Sequence, residues 1–306
     1  MKHQKTYIAL TISMILWGFS FVWSKVALET YPPISVVLFR LIVSSVSIYT
    51  FVKIARIKFK LKKKDIKMFI LLAFFEPFLY FLGETFGLQE VSATTTSVLI
   101  STIPIFVPIF VFIIYREKLS KINIIGSLVS FIGILFIVLN NNFELDASVL
   151  GISLIFLAVF AAIGYSLVVK QIAERYNPIL IVLYQNTFAI LLFFPLFLFL
   201  DFSTFINIKH NLNSLFAIFE LGIFASSIAF ILFAYGIKKI GVSKAGFFTN
   251  LIPIFTSIIA FFILDEKYSL IKYIGIGIVI LGLFLSQLNI NLYKVKANNS
   301  NKNTFK

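Results

Sequence analysis

Long apolar stretches recur along the chain from its first residues almost to its end, and only short polar segments separate them. A helix that crosses a bilayer needs roughly 20 mostly apolar residues. Ten stretches meet this length: Tyr7–Leu28, Ile34–Ile54, Ile66–Leu88, Ala93–Tyr115, Ile122–Leu139, Val149–Val169, Ile179–Leu200, Leu215–Ile237, Ala245–Leu264 and Ile271–Leu288. Backbone groups in lipid must be bonded within their segment, and these stretches are too long for barrel strands. The sequence therefore predicts an all-α integral membrane protein with ten transmembrane helices.

Composition excludes several classes of protein. Hydrophobic residues make up 59% of the 306 positions and charged residues 13%, whereas soluble domains average about 45–50% and about 25%. The chain has no cysteine, which rules out disulfides, thiolate metal sites and cysteine nucleophiles. Its two histidines, His3 and His210, lie near predicted span ends, and no phosphate-binding glycine loop is present. We therefore expect no enzyme activity, no metal and no cofactor.

The net charge of +14 is distributed very unevenly along the chain. With the N-terminus placed in the cytoplasm, internal segments carry 22 Lys and Arg residues and external loops carry 4. By the positive-inside rule, this bias predicts a multi-pass protein of the cell membrane with both termini in the cytoplasm. The charge is thus a signal of topology and not of nucleic-acid binding. A second role for the basic run at Lys58–Lys64 is contact with anionic lipid headgroups.

The two halves of the chain resemble each other. At an offset of 149 residues the matches are Gly87 with Gly236, Pro104 with Pro253, Glu117 with Glu266, Ile122 with Ile271, Gly126 with Gly275 and Gly133 with Gly282. At an offset of 145 they are Lys25 with Lys170, Glu29 with Glu174, Tyr31 with Tyr176, Pro33 with Pro178 and Leu38 with Leu183. The predicted units are 1–142 and 143–290, followed by a basic cytoplasmic tail at 291–306. Five spans per unit is an odd number, so the two units enter the membrane from opposite sides, as in many secondary transporters.

Particular motifs resemble one transporter family over nearly the whole chain. They comprise Trp17-Gly18, Lys25, Pro33, Arg40, the segment Gly87–Ser92, Pro104, Glu117, Gly126 and Gly133. Together they resemble the EamA-type family of the drug/metabolite transporter superfamily. In the second half Ala162-Ile163 replace Trp17-Gly18 and Gln185 replaces Arg40. The resemblance implies ten helices, a central cavity lined mainly by helices 1, 3, 4, 6, 8 and 9, and metabolite or amino-acid export among the members.

Charged residues inside predicted spans are costly and require a partner or a cavity. Arg40, Glu84 and Glu220 each lie roughly 6–9 Å below the outer ends of their helices. Arg40 and Glu84, on consecutive helices at one depth, form the natural ion pair. Such a pair either fixes helix packing or gating, or contacts the substrate. Glu220 has no evident partner. Its side chain either extends toward the outer membrane interface or has a functional role.

Glu76 lies about 15 Å into helix 3 and directly precedes Pro77. Because proline cannot donate a backbone hydrogen bond, we predict a kink there. Glu76, Tyr80, Gly83 and Glu84 share one helical face, which we expect to line a cavity. Burial disfavours the charged carboxylate, so Glu76 is a candidate for proton coupling or for binding a substrate ammonium. The alternative is a protonated acid bonded to the carbonyl that Pro77 leaves free.

Helices 4 and 9 carry small and hydroxyl residues near Pro104 and Pro253. Such residues serve helix packing or ligand contact. Ser101 and Asn250, each about one turn before its proline, are the predicted substrate hydrogen-bonding residues. Candidate aromatic walls are Trp17, Tyr80, Tyr165 and Tyr235. The small residues Gly126, Ser130, Gly133, Gly275 and Gly282 predict close helix packing, within the chain or at a homodimer interface.

The predicted function is secondary transport of amino acids or related small metabolites out of the cell by alternating access. The expected partners are a small-molecule substrate and membrane lipids. Within transport, a lipid or nucleotide-sugar carrier is the alternative. A membrane sensor or structural protein that moves no solute is the alternative from another class.

Overall fold

The computed structural model describes residues 4–59, 61–106, 121–138, 148–267 and 269–287, and in these ranges the regular structure is helical, without strands. The helices are α1 Gln4–Leu28, α2 Pro33–Ile54, α3 Lys63–Glu90, α4 Ala93–Ile100, α5 Lys121–Val138, α6 Val149–Ala173, α7 Pro178–Asn207, α8 Leu212–Ile240, α9 Lys244–Ile263 and α10 Leu270–Gln287. The all-α prediction is therefore confirmed.

Seven of these helices are long and apolar enough to cross a membrane, namely α1, α2, α3, α6, α7, α8 and α9. The regions of the other three helices, α4, α5 and α10, contain shorter apolar helical stretches: Ala93–Phe106, Ile124–Ile137 and Leu270–Leu285. The predicted end of the fourth span at Tyr115, and those at Leu139 and Leu288, lie outside the described residues. Helix α7 extends to Asn207, beyond the predicted end at Leu200.

The chain divides into two compact units, and each combines segments from both halves of the sequence. The larger unit comprises residues 1–101 and 147–267. In it, α1 packs against α8 and α9, α6 packs against α3 and α4, and α2 packs against α7. One apolar cluster in its interior contains fully buried side chains such as Leu10, Phe69 and Val169.

Helix α3 is interrupted where the sequence predicts a kink. Glu76 has non-helical backbone angles, φ −146° and ψ 117°, within a wide turn at Phe74–Leu79. The peptide bond between Glu76 and Pro77 is cis. The prediction of a break at Pro77 is confirmed, and the break sets a carboxylate in the buried interior of the larger unit.

Three acidic side chains tie helix ends together in the larger unit, and the sequence analysis singled out none of them for this role. Asp201 accepts hydrogen bonds from the backbone N–H of Ser35 (2.7 Å) and from its hydroxyl (2.9 Å). Glu266 accepts from the backbone N–H groups of Ala93 (2.8 Å) and Thr94 (3.3 Å). Because the N–H groups of a first helical turn have no partner within the helix, these carboxylates stabilise the starts of α2 and α4.

The third acidic tie joins α3 to the turn between α6 and α7. Asp65 accepts from Arg175 Nη1 (2.8 Å) and from the hydroxyl of Tyr176 (2.8 Å). Burial raises the pKa of the Tyr176 phenol, which therefore stays protonated as the donor to Asp65. The Tyr176 oxygen in turn accepts from the backbone N–H of Lys62 (3.2 Å).

The smaller unit comprises residues 102–146 and 268–306, and its described part is built on the packing of α5 against α10. A Cβ on Gly133 would lie 2.6 Å from the backbone nitrogen of Val279 and 2.8 Å from the Gly275 oxygen. A Cβ on Gly282 would lie 2.7 Å from the Gly126 oxygen and would overlap the Ser130 backbone. The predicted close packing at these glycines is confirmed within the chain, while the homodimer stays a prediction.

Gly133→Ala is expected to force α5 and α10 apart and to lower the free energy of unfolding by about 1–3 kcal/mol, the usual cost of overpacking. The matched control is Gly277→Ala on α10, because a Cβ there meets no atom within 4 Å. Thermal unfolding of the two purified variants in detergent checks the difference. Equal melting temperatures for both variants would contradict the close approach at Gly133.

Candidate functional site

Three acidic and phenolic side chains of α3 lie buried along one side of the helix. Glu76, Tyr80 and Glu84 are 7%, 9% and 2% exposed, and the two carboxylates are close enough for a coulombic interaction. Gly83, predicted to share their cavity, instead packs against α6, where a Cβ would overlap the Leu154 carbonyl oxygen. The polar stripe is therefore narrower than its helical spacing suggests, because α6 approaches α3 at the position without a side chain.

Arg40 of α2 is buried beside this stripe, but it forms no direct ion pair with Glu84. The two side chains interact electrostatically over a longer distance. In the described part of the chain, the one ion pair in direct contact joins Arg175 to Asp65. Arg40 Nε donates to the hydroxyl of Ser226 on α8 (2.9 Å), and its guanidinium lies over the Phe81 ring at 4.2 Å. The predicted contact pair is corrected to a longer-range interaction, because Ser226 and Phe81 hold the guanidinium.

A second polar group lies across from Glu76. The hydroxyl of Tyr165, on α6, donates to Gln185 Oε1 of α7 at 3.5 Å, and Tyr165 is close enough to Glu76 for a coulombic interaction. Both side chains are buried. Tyr165 thus interacts electrostatically with Glu76 and bonds to Gln185, which the sequence analysis treated only as the replacement of Arg40 in the second half.

The two remaining aromatic candidates, Trp17 and Tyr235, have different neighbours. Trp17 of α1 packs against Phe230 and Phe233 of α8, with ring centroids 5.1 and 4.9 Å away. Tyr235 lies beside the basic end of α8, where Lys239 Nζ is 5.7 Å from its ring centroid. No described contact joins Tyr235 to the acidic stripe, so its role as a cavity wall stays a prediction.

The predicted hydrogen-bonding pair is fully buried. The Ser101 hydroxyl donates to the Val98 carbonyl (2.7 Å), so that only its lone pairs remain for a ligand. Both polar atoms of the Asn250 side chain lack a hydrogen-bond partner within the described part of the chain. Pro253 is buried in the first turns of α9, and Pro104 is half-buried in the helical turn at residues 103–106.

Glu220 is half-buried at the point where a wide turn of α8, Leu221–Ala229, begins. No contact described for it links it to Arg40 or to the acidic stripe. Across the described ranges, no group of three or more His, Asp or Glu side chains is placed to hold a metal ion. The carboxylates, the guanidinium and the amides of the described site can support proton uptake, charge pairing and hydrogen bonding.

The profile of one protein family covers almost the whole chain. The EamA-like transporter family matches residues 4–139 and 149–288. The chain belongs to this family. It is accordingly a multi-pass membrane transporter, which confirms the resemblance carried by Trp17-Gly18, Arg40 and Pro104.

Relatives that align with most of this EamA-like chain are also named as transporters. The "uncharacterized transporter YetK" of Bacillus subtilis (strain 168) is 27% identical over 289 residues, which cover 93% of this chain and 87% of that protein. An "uncharacterized transporter" of Archaeoglobus fulgidus is 26% identical over 282 residues, or 92% and 98% of the two chains. A crystal structure that covers 93% of this chain superposes with a TM-score of 0.69 at 12% identity, which supports the fold alone.

Proposed function

We propose that this EamA-like protein is a secondary transporter that exports amino acids or related small metabolites across the cytoplasmic membrane by alternating access. The observation that carries the proposal is the set of buried ionisable groups, Arg40, Glu76 and Glu84, between helices long enough to span a membrane. Such groups are costly in a membrane interior and mark substrate or ion pathways. In the described part of the chain none of the three makes a direct charged contact, which leaves them available to a solute or a proton.

Contacts between the two halves support an inverted repeat. Gly87 lies against Ile155 of the other half, and the repeat-related residues Gly236 and Leu10 make the same contact in reverse. Thr30 bonds to Ser214 (2.9 Å), and the related Arg175 bonds to Asp65 (2.8 Å). Reciprocal contacts of this kind are what a two-fold relation produces.

Helix packing in the larger unit follows the same exchange. Helix α1 packs on α8 and α9, and its counterpart α6 packs on α3 and α4. With five spans in each half, a two-fold axis lies in the membrane plane and the halves are inverted. With ten spans, the excess of 22 to 4 in basic residues supports a topology in which both termini lie in the cytoplasm.

Within this transporter, Glu76 takes up a proton or pairs with a substrate ammonium at the break in α3. Asn250 supplies an unpaired amide, and Ser101 offers its lone pairs. Aromatic surface comes from Trp17 and Tyr165. A buried site with few polar groups among apolar walls is the usual setting for small-ligand binding.

Cells that produce the protein are expected to release preloaded, labelled amino acids into the medium faster than cells that carry an empty vector. Matched cells with Glu76→Gln should release them at the vector rate, because the coupling carboxylate is lost. Labelled efflux over a panel that also includes a nucleotide sugar and a lipid checks the class of solute. If the protein moved only the nucleotide sugar or only the lipid, it would be a carrier of that solute and not a metabolite exporter.

A further inference from the structure

The side-chain nitrogen of Gln185, in the interior of the larger unit, has no hydrogen-bond partner in the described structure. Gln185 of α7 is 0% exposed, and its Nε2 has no hydrogen-bond partner within the described ranges of the chain. Its Oε1 accepts only the long hydrogen bond from Tyr165 (3.5 Å). A buried donor that makes no hydrogen bond destabilises the fold, since it loses its bonds to water without replacement.

The next residue of the same helix shows that the fold is able to satisfy an amide at this depth. Asn186 Nδ2 donates to the Ser44 hydroxyl (2.8 Å) and to the Ser226 carbonyl (3.1 Å). Its side chain is 1% exposed, as buried as that of Gln185. Two adjacent amides of similar burial therefore differ: the protein satisfies Asn186 through Ser44 and Ser226, whereas the Gln185 Nε2 has no partner in the described structure.

Gln185 also has a defined place relative to the acidic site. It bonds to Tyr165, which lies within coulombic reach of Glu76. Helix α7 packs on the broken turn of α3, where the Phe193 and Phe78 rings are 5.0 Å apart. The free donor thus belongs to the helix that covers the break carrying the Glu76 carboxylate.

The internal repeat provides a second, independent observation about the position of Gln185. At the offset of 145 residues, Gln185 corresponds to Arg40. Arg40 also has a buried nitrogen, Nη1, without a hydrogen-bond partner in the described structure. Both halves therefore present a buried N–H donor at one equivalent position, charged in the first half and neutral in the second.

We infer that Gln185 is a substrate-recognition residue whose side-chain N–H donates a hydrogen bond to an oxygen acceptor, a carboxylate or a carbonyl, of the transported solute. This inference rests on the proposed transport function. The donor is covered in the present conformation, so the solute reaches it when the two halves open toward one side. A site built to bond a polar group discriminates strongly against solutes that lack it, because its own donor is then left unpaired.

The test compares three variants with the intact protein for thermal stability in detergent and for transport kinetics in liposomes. Gln185→Met keeps the length of the side chain without its amide, and Gln185→Glu offers acceptors only in its ionised form. Asn186→Leu is the matched structural control. The solute is the labelled amino acid that the intact protein moves fastest in a panel of the common amino acids.

Gln185→Met is expected to melt at or above the temperature of the intact protein and to raise KM at least tenfold. At a pH where its carboxylate is ionised, Gln185→Glu should raise KM further, because that carboxylate repels an acceptor oxygen. Asn186→Leu should lower the melting temperature, because it breaks two buried hydrogen bonds. An unchanged KM for Gln185→Met, or a melting temperature as low as that of Asn186→Leu, would overturn the inference. If the intact protein moves no member of the panel, the proposed function fails instead, and a lowered melting temperature of Gln185→Met still counts against Gln185 on its own.

Discussion

Glu76→Gln is expected to leave the protein folded and inserted but to abolish proton-dependent transport and the transport of cationic substrates. The carboxylate is 7% exposed at the break in α3. Glutamine reproduces the shape and polarity of the protonated acid, so the packing should persist. It cannot release a proton or pair with an ammonium, so coupling should be lost.

Proton-driven solute flux in liposomes, measured across a range of external pH, checks this result. The control is Glu220→Gln. This variant neutralises another glutamate in a spanning helix, but the Glu220 side chain is only half-buried. The control should retain the transport rate and the pH profile of the intact protein. Full activity of Glu76→Gln with an unaltered pH profile would reduce Glu76 to a structural residue of the α3 break.

The second large effect concerns stability. Glu84→Gln should lower the free energy of unfolding by several kcal/mol, on the order of 3, because it leaves the buried Arg40 guanidinium without its compensating charge. The Ser226 hydroxyl and the Phe81 ring remain as partners of Arg40. They support the cation but do not neutralise it.

Adding Arg40→Gln to Glu84→Gln should recover part of the lost stability, because the double variant no longer buries an unpaired charge. A complete set of single and double variants, unfolded thermally in detergent, isolates the coupling between the two positions. A double variant no more stable than the worse of the two single variants would show that Arg40 and Glu84 act independently.

Sequence periodicity predicted the helices well, because lipid leaves a chain of this composition few alternatives. Seven spans recur as helices of membrane-crossing length. The break at Pro77 was predictable from proline chemistry, and close helix packing from the placement of Gly133 and Gly282, although not that their two helices pack against each other. In each case a local chemical property of the residue determines the outcome wherever the helix packs.

The partner of Arg40 was not predictable in the same way. Equal depth on consecutive helices suggested Glu84, but α8 brings Ser226 to Arg40 from a distance of 186 residues along the chain. Helix rotation decides which side chain faces which neighbour, and depth along the axis carries no information on rotation. The same reason explains Gly83, whose face is taken by α6.

The acidic ties at helix ends were missed because nothing in a linear pattern links a carboxylate to the first turn of a distant helix. Asp201 and Glu266 accept hydrogen bonds from backbone N–H groups that lie 166 and 173 residues away along the chain. Gln185 was visible as a departure from Arg40 between the halves. Its importance depends on a missing hydrogen bond, which only the three-dimensional arrangement reveals.

Solute counterflow in liposomes tests the central claim, that this EamA-like chain is an alternating-access transporter, most directly. Purified protein is reconstituted into vesicles preloaded with one unlabelled amino acid or metabolite at a time, and trace labelled solute is added outside. We predict transient accumulation of label for at least one solute, absent from protein-free vesicles and strongly reduced with Glu76→Gln under a proton gradient. Folded, reconstituted protein that moves no solute of the panel above the protein-free level would contradict the account.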